Sequence, residues 1–204
     1  MGNSWKMENK KVIGLYGVFG VGKSYLAHGL SSRFWDYDTV ATDNLLAIAR
    51  DLDKSDLYLQ QSSYLAWQII GDNSQKNIVE GFKRYRDKLQ PFIRIILDRS
   101  YKQRVDMIFE GLHISHYVFQ EYSHLLDINP LLVTITDKDI HWARVEEKCR
   151  DRPELLKRIT PHFQTVRILQ DFLTEEANSN SVPIIDNGFE KGKTLDAIVQ
   201  KLRC

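Results

Sequence analysis

The stretch Val12-Ile13-Gly14-Leu15-Tyr16-Gly17-Val18-Phe19-Gly20-Val21-Gly22-Lys23-Ser24-Tyr25 decides the fold. Its first five residues read as a buried strand. Residues 17–24 then spell G-x-x-x-x-G-K-[ST], and a helical stretch begins near Gly22. Strand, glycine-rich loop and helix, in that order, are the context this motif requires. Glycines let such a loop turn its backbone N–H groups inward as a concave anion nest, and the helix adds its positive N-terminal end. The expected nucleotide-binding residues are Gly17, Gly20, Val21, Gly22, Lys23, Ser24 and Tyr25. Among them Lys23 is placed to reach the β- and γ-phosphates and Ser24 to ligate magnesium.

Outward from this loop, short β-rich runs alternate with longer helical stretches, the pattern of an α/β domain built on a parallel sheet. The expected strands are 11–16, 38–41, 105–110, 131–136 and 182–186, with helices starting near Gly22, Asp43, Ser55, Ile78, Asp137, Pro161 and Lys191. Phe163, Val166, Leu169 and Leu173 recur at helical spacing and define one core-facing stripe. No repeat, low-complexity tract or Pro/Gly-rich linker divides the chain, so the expected organisation is a flexible start over 1–10 and one domain over 11–204.

At 204 residues with 43% hydrophobic content, the chain can bury a continuous core. Lys plus Arg number 28 against 27 Asp plus Glu, and a net charge of +1 gives no global field for gripping a nucleic-acid backbone. No apolar run approaches the ~20 residues of a membrane helix. Cys149 and Cys204 form neither a disulfide framework nor a metal spacing, and residues 1–11 lack the apolar core of a signal peptide. Lys6 stands where a myristoylation pattern has Ser or Thr. The expectation is a cytoplasmic chain without a membrane partner. No Asn-Lys-x-Asp and no Asp-x-x-Gly occurs, which disfavours a guanine-nucleotide switch, and the length leaves little room for a motor or a transporter ATPase. A small-molecule kinase using ATP and Mg2+ is the class that remains.

Several constellations suit such a kinase. Asp43 follows a short strand, where its carboxylate can orient an acceptor hydroxyl, although Thr42 or Asp43 can equally cap the next helix. Met107-Ile108-Phe109-Glu110-Gly111 is an apolar strand ending in a carboxylate suited to a magnesium-bound water. His141, Arg144 and Lys148, spaced three and four apart, share one helical face, and Arg144 is the candidate for a catalytic cation. Lys83, Arg84, Arg86, Lys88, Arg94, Arg99, Lys102 and Arg104 face only Asp87 and Asp98, which offers either oxyanion-binding arginines or a solvated helix kinked near Pro91. His113 is placed to touch a phosphate or to fill a strand end.

With these residues in hand, the chain resembles the 2-phosphoglycerate kinase family from the phosphate loop nearly to the C-terminus. Ala41-Thr42-Asp43-Asn44-Leu45-Leu46-Ala47-Ile48-Ala49-Arg50 is similar to that family's threonine-aspartate helix start. Ser62-Ser63-Tyr64, Gly81-Phe82 and Leu97-Asp98-Arg99-Ser100 are further matches. Phe109-Glu110-Gly111-Leu112-His113 resembles its Glu-Gly-Val-His signature, the most diagnostic piece. Thr136-Asp137-Lys138-Asp139-Ile140-His141-Trp142-Ala143-Arg144 resembles its lid, and His162-Phe163, Arg167 and Asp171-Phe172-Leu173 its closing helix. Phe19, Tyr25 and Leu46 depart from the usual small hydroxyl residue, threonine and arginine.

The resemblance implies a P-loop NTPase with a nucleoside-monophosphate-kinase-like parallel sheet flanked by helices and a small helical lid over about 137–160. It also implies transfer of the γ-phosphoryl group of ATP to the 3-hydroxyl of 2-phosphoglycerate, giving 2,3-bisphosphoglycerate. The expected catalytic residues are Lys23, Asp43 and Arg144, and the acceptor-binding set is Asp43, Arg50, Arg84, Arg86, Glu110 and His113. Ser24, and Glu110 through a water, are the expected metal ligands. Other acceptors on the same scaffold (a polyol, a sugar, a polynucleotide end) and a non-enzymatic ATP-dependent regulator are the competing readings. Tyr85 and Tyr101 among the basic residues give the polynucleotide weak support.

Overall fold

The first strand, β1 (Lys11–Tyr16), occupies the centre of a five-stranded sheet, and its composition shows why. Val12, Ile13 and Leu15 are inaccessible to solvent, as a strand covered on both faces requires. The computed structural model describes residues 9–188 and 191–203, so most of the flexible start expected over 1–10, and Cys204, lie outside the described residues. With β2 (Asp38–Ala41), β3 (Met107–Gly111), β4 (Asp127–Thr134) and β5 (Ile184–Asp186), β1 forms an all-parallel sheet in the order β2-β3-β1-β4-β5. Helices α1 (Lys23–Arg33), α2 (Thr42–Leu52), α3 (Leu57–Gln60), α4 (Gln75–Asp87), α5 (Gln90–Gln103), α6 (His116–Glu121), α7 (Lys138–Cys149), α8 (Pro153–Ile159), α9 (Phe163–Ser179) and α10 (Lys191–Arg203) flank it. None of the described helices is long and apolar enough to cross a membrane.

Two strand details refine the sequence reading. Strand β4 begins four residues earlier than expected and includes Pro130. Leu132 donates its N–H to Pro183 on the β5 side, so the ring nitrogen of Pro130, two residues earlier, faces the same side before β5 begins at Ile184. An edge of that kind needs no donor. Helix α6 was not expected, because only Val118 and Phe119 of its six residues are buried and they make no period. Its mark lies elsewhere, at Gly14, where a Cβ would come within 2.2 Å of the Phe119 ring. A glycine inside a strand there permits that close approach.

The basic stretch is two helices rather than one kinked helix. Pro91 sits in the first turn of α5, where an N–H is not needed. Its cations are spent on the fold. Arg84 pairs with Glu80, Lys88 with Asp56, Arg94 with Glu121, Arg99 with Asp38 and Lys102 with Asp98, while Lys83 lies over the Phe172 ring. Arg86 is buried and makes a bidentate pair with Glu176 of α9, at 2.7 and 2.9 Å, with Phe82 and Phe172 against its guanidinium. This pair fastens α4 to α9. Removing one partner leaves the other charge poorly compensated, so Arg86→Ala should cost about 3 kcal/mol of stability in urea titrations. A combined Arg86→Met, Glu176→Leu variant should recover most of it.

Candidate functional site

The loops that follow β1, β3 and β4 meet above the strand ends, where Tyr16 is registered with Gly111 on one side and Leu132 on the other. The chain visits both sides of β1 there, the switch point at which parallel sheets open a crevice. Gly22 turns the loop into α1 with φ 89°, and a Cβ on it would lie 2.5 Å from the Asn187 amide nitrogen. Both strain and space therefore require glycine at this turn.

One side chain of the motif and two from distant elements hold the loop carbonyls. Lys23 Nζ donates to Val18 O at 2.8 Å, Asn187 Nδ2 to Val21 O at 2.9 Å, and His141 Nε2 to Phe19 O at 2.8 Å. A carbonyl can only accept, so His141 carries its proton on Nε2, and its Nδ1 accepts from Arg167 Nη1 at 3.2 Å. Arg167 in turn donates to Ile135 O and Thr136 O, tying α9 to the end of β4. Burial, followed by the charges of Arg167 and Lys23, lowers the pKa of His141 to about 4. Lys23 is buried, and burial with the nearby charge of Lys148 lowers its pKa to about 8.

Two cavities flank this loop. The first, about 310 Å3, is walled by Gly20, Val21, Gly22, Tyr25, Arg144 and Asn187. The second, about 290 Å3, is walled by Asp43, Arg50, Tyr64, Tyr85, His113 and Arg158, among others. Lys23, Ser24 and Lys148 line both. Each cavity also holds a buried polar atom without a partner among the described residues, Asn187 Oδ1 in the first and the Tyr64 hydroxyl in the second. Such atoms mark places where a ligand can complete the hydrogen bonding.

In the second cavity, His113 is buried, with Nδ1 2.8 Å from Thr42 Oγ1 and Nε2 3.0 Å from the Tyr85 hydroxyl. Burial lowers its pKa to about 4 against the opposing pull of Asp43, whose Oδ1 lies 3.9 Å away. Asp43 itself is open to solvent and, like Thr42, makes no capping bond, since Ala41 is the N-cap of α2. Arg50 donates to Leu59 O and Gln61 O, which fixes the turn carrying Ser62, Ser63 and Tyr64 into the cavity. Ser24 Oγ lies 3.3 and 3.2 Å from the two Glu110 carboxylate oxygens. A hydroxyl beside a carboxylate is the hard oxygen set that suits Mg2+.

The structure thus brings Lys23, Ser24, Asp43, Arg50, Glu110 and His113 together. Arg84 and Arg86 are corrections to the acceptor-binding set. Arg86 is consumed by Glu176, and Arg84, paired with Glu80, lines a separate groove beside Phe172. Arg144 borders only the first cavity and lies 3.7 Å from Glu147. His141 faces the loop backbone rather than a cavity. Tyr85 as an acceptor-side group, Arg158 and Asn187 were not anticipated. Arg158 lies in the last turn of the proline-started α8, in a region read only as lid, and nothing in its spacing separates it from neighbouring surface charges.

No family model matches the chain. It is 26% identical over 201 residues to the 2-phosphoglycerate kinase of Methanocaldococcus jannaschii, covering 94% of this chain and 64% of that protein. The corresponding figures for the enzyme of Methanococcus vannielii are 29% over 197 residues, 90% and 62%. The chain resembles the 2-phosphoglycerate kinases. It spans just under two thirds of the length of these curated 2-phosphoglycerate kinases. Among solved structures it shares the fold of shikimate kinase from Acinetobacter baumannii in complex with shikimate (TM-score 0.54, 13% identity, 95% of this chain and 92% of that one). It also shares that of TT1252 from Thermus thermophilus (TM-score 0.53, 20% identity, 96% and 97%). The fold is that of the P-loop kinases.

The two buried neutral histidines give the site an acid limit. Their pKa in the unfolded chain is near 6.5, above the folded value of about 4, so the unfolded state takes up protons that the folded state refuses. Stability is complete above about pH 6.5 and falls on acidification towards pH 4, by at most about 1.4 kcal/mol per pH unit for each histidine. Urea titrations at pH 7 and 5 should show the loss, and His141→Gln should show a smaller one. An unchanged pH dependence in a variant lacking both His113 and His141 would assign the acid sensitivity elsewhere.

Proposed function

We propose that the chain is an ATP-dependent phosphotransferase acting on a hydroxyl of a small phosphorylated metabolite, with 2-phosphoglycerate as acceptor and 2,3-bisphosphoglycerate as product. The observation that carries this reading is the pair of cavities meeting at Lys23 and Ser24. The cavity bounded by the loop glycines suits a nucleoside triphosphate, whose phosphates would meet the backbone N–H groups and Lys23. The other offers Arg50, Arg158 and Lys148 for an anionic acceptor, with Asp43 beside them. Similarity to the 2-phosphoglycerate kinases supports the choice of acceptor.

In this reading the acceptor oxygen forms a bond to the γ-phosphorus as the bond to ADP breaks, and its proton passes late to the Asp43 carboxylate. Asp43 is exposed, which leaves it free to turn to the acceptor. Catalysis of this kind is mostly positioning and charge stabilisation. Ser24, and Glu110 through a water, would hold Mg2+, which when bound offsets phosphate charge. His113, held neutral, keeps Tyr85 and Thr42 in place without adding a charge. Arg144 borders the nucleotide side, in the helical lid of 137–160 that would close over the bound phosphates.

Incubation with ATP, Mg2+ and 2-phosphoglycerate should yield 2,3-bisphosphoglycerate, detected by mass. Only background ATP hydrolysis, with turnover of a polyol, a sugar or a polynucleotide end instead, would replace the acceptor. Lys23→Ala should abolish transfer with the fold intact. Asp43→Asn, which keeps the size but loses the base, should lower turnover by roughly 10²-fold or more. Normal turnover with altered stability would restrict Asp43 to a structural role at the start of α2.

A further inference from the structure

Helix α7 engages Phe19 of the phosphate loop twice. His141 donates to the Phe19 carbonyl, and Lys148, seven residues on and so on the same face, places its Nζ 4.4 Å from the centroid of the Phe19 ring. Phe19 occupies a variable position of the motif, yet its backbone and its ring are both engaged. Phe19 itself lines the second cavity and Lys148 lines both, whereas Arg144 lines only the first. The positions shared by the two cavities are those of Lys23, Ser24 and Lys148. Lys148 stands close enough to Lys23 for its charge to act on it. Glu110 and Asp43 act on Lys23 in the opposite sense, but two ammonium groups held near each other still repel one another, and a group carrying further negative charge relieves that repulsion.

We infer that Lys148, seated on the ring of Phe19, is the cation that follows the phosphoryl group as it crosses from the nucleotide cavity to the acceptor cavity, with Phe19 as its positioning residue. The inference rests on the phosphotransferase reading above. It assigns to Lys148 the transfer position for which Arg144 is the candidate on sequence grounds. An aromatic seat suits the task, since the ring quadrupole attracts the ammonium without neutralising it, whereas a carboxylate partner would cancel the charge the phosphoryl oxygens need. Arg144 has such a carboxylate, Glu147, at 3.7 Å. A cation reached by both cavities contacts the phosphoryl group best midway, so its contribution falls on the transition state rather than on bound ATP.

The test uses the full chain and two readouts. In the first, binding of Mg·ADP is measured with and without aluminium fluoride, a mimic of the phosphoryl group in flight that needs no acceptor. Lys148→Met should lose at least about tenfold of the affinity gained with fluoride, while affinity for Mg·ADP alone changes by less than about twofold. Phe19→Leu, which keeps an apolar contact and removes the ring, should lose part of the same gain and add nothing further in the Lys148→Met background. In the second, phosphoryl transfer should fall by roughly 10²-fold in turnover number for Lys148→Met with little change in the KM for ATP. Retention of the fluoride gain in Lys148→Met, its loss in Arg144→Ala instead, strictly additive effects of Phe19→Leu and Lys148→Met, or no fluoride gain in the unsubstituted chain would each overturn the inference. A fluoride gain that depends on Lys148, without turnover of 2-phosphoglycerate, would overturn the acceptor assignment and leave Lys148 in place.

Discussion

The orientation of a few peptide units between Gly17 and Lys23 is the constraint on which the rest of the site depends. An anion nest works only if its N–H groups point inward, and a planar trans peptide sets each N–H opposite the preceding carbonyl. Securing a carbonyl from outside therefore aims the next N–H. Asn187 does this at Val21 and His141 at Phe19, which commits the N–H groups of Gly22 and Gly20. Neither residue belongs to the motif. One follows β5 and the other lies on α7, so the loop that the motif encodes is finished by segments more than a hundred residues away.

That arrangement ties the lid to the loop. A helix anchored by a neutral imidazole to a backbone carbonyl, and by an ammonium to the neighbouring ring, transmits any shift of its own to the loop, and an occupied loop in turn holds the helix. Arg167 and Gln170 of α9 secure the other end of the chain of contacts, Arg167 on Ile135 O and Thr136 O and Gln170 on both backbone groups of Ile135. Burying His141 makes this dependable near neutral pH. A protonated ring would present a second N–H to a guanidinium, so desolvation and Arg167 together keep it in the one tautomer that serves the loop.

Much of the fold was legible because its signals are local. The strand at 11–16 and the helix after Gly22 follow from the motif, and the five expected strands all exist, 11–16 and 38–41 with the ends expected and the other three with shifted ends. Where the reading failed, the deciding interaction was remote. Pro130 reads as a strand breaker until the short reach of β5 is known. The site divides the same way. Lys23, Ser24, Asp43 and Glu110 stand at the ends of strands or in the motif, where chemistry is expected, and they meet in one cleft. Tyr85, Arg158 and Asn187 carry no spacing of their own, since each reaches the cleft through packing that a single chain of letters does not display.

The arginine-rich helices show why charge counts mislead here. A stretch with eight cations and two carboxylates invites an anion, but Glu80, Asp56, Glu121, Asp38 and Glu176 come from its own and four other elements or connections to meet it. Such pairing is cheap at the surface and consumes charge that would otherwise attract ligands. The cleft has the opposite composition. Lys23, Arg50, Lys148 and Arg158 face Asp43 and Glu110 in one cavity, and Arg50 and Lys148 are held by carbonyls and a ring instead of by carboxylates. A chain close to electroneutral as a whole thus keeps a cationic interior surface, because its acids are distributed to silence the outer helices and only two of them offset the four cations of the cleft.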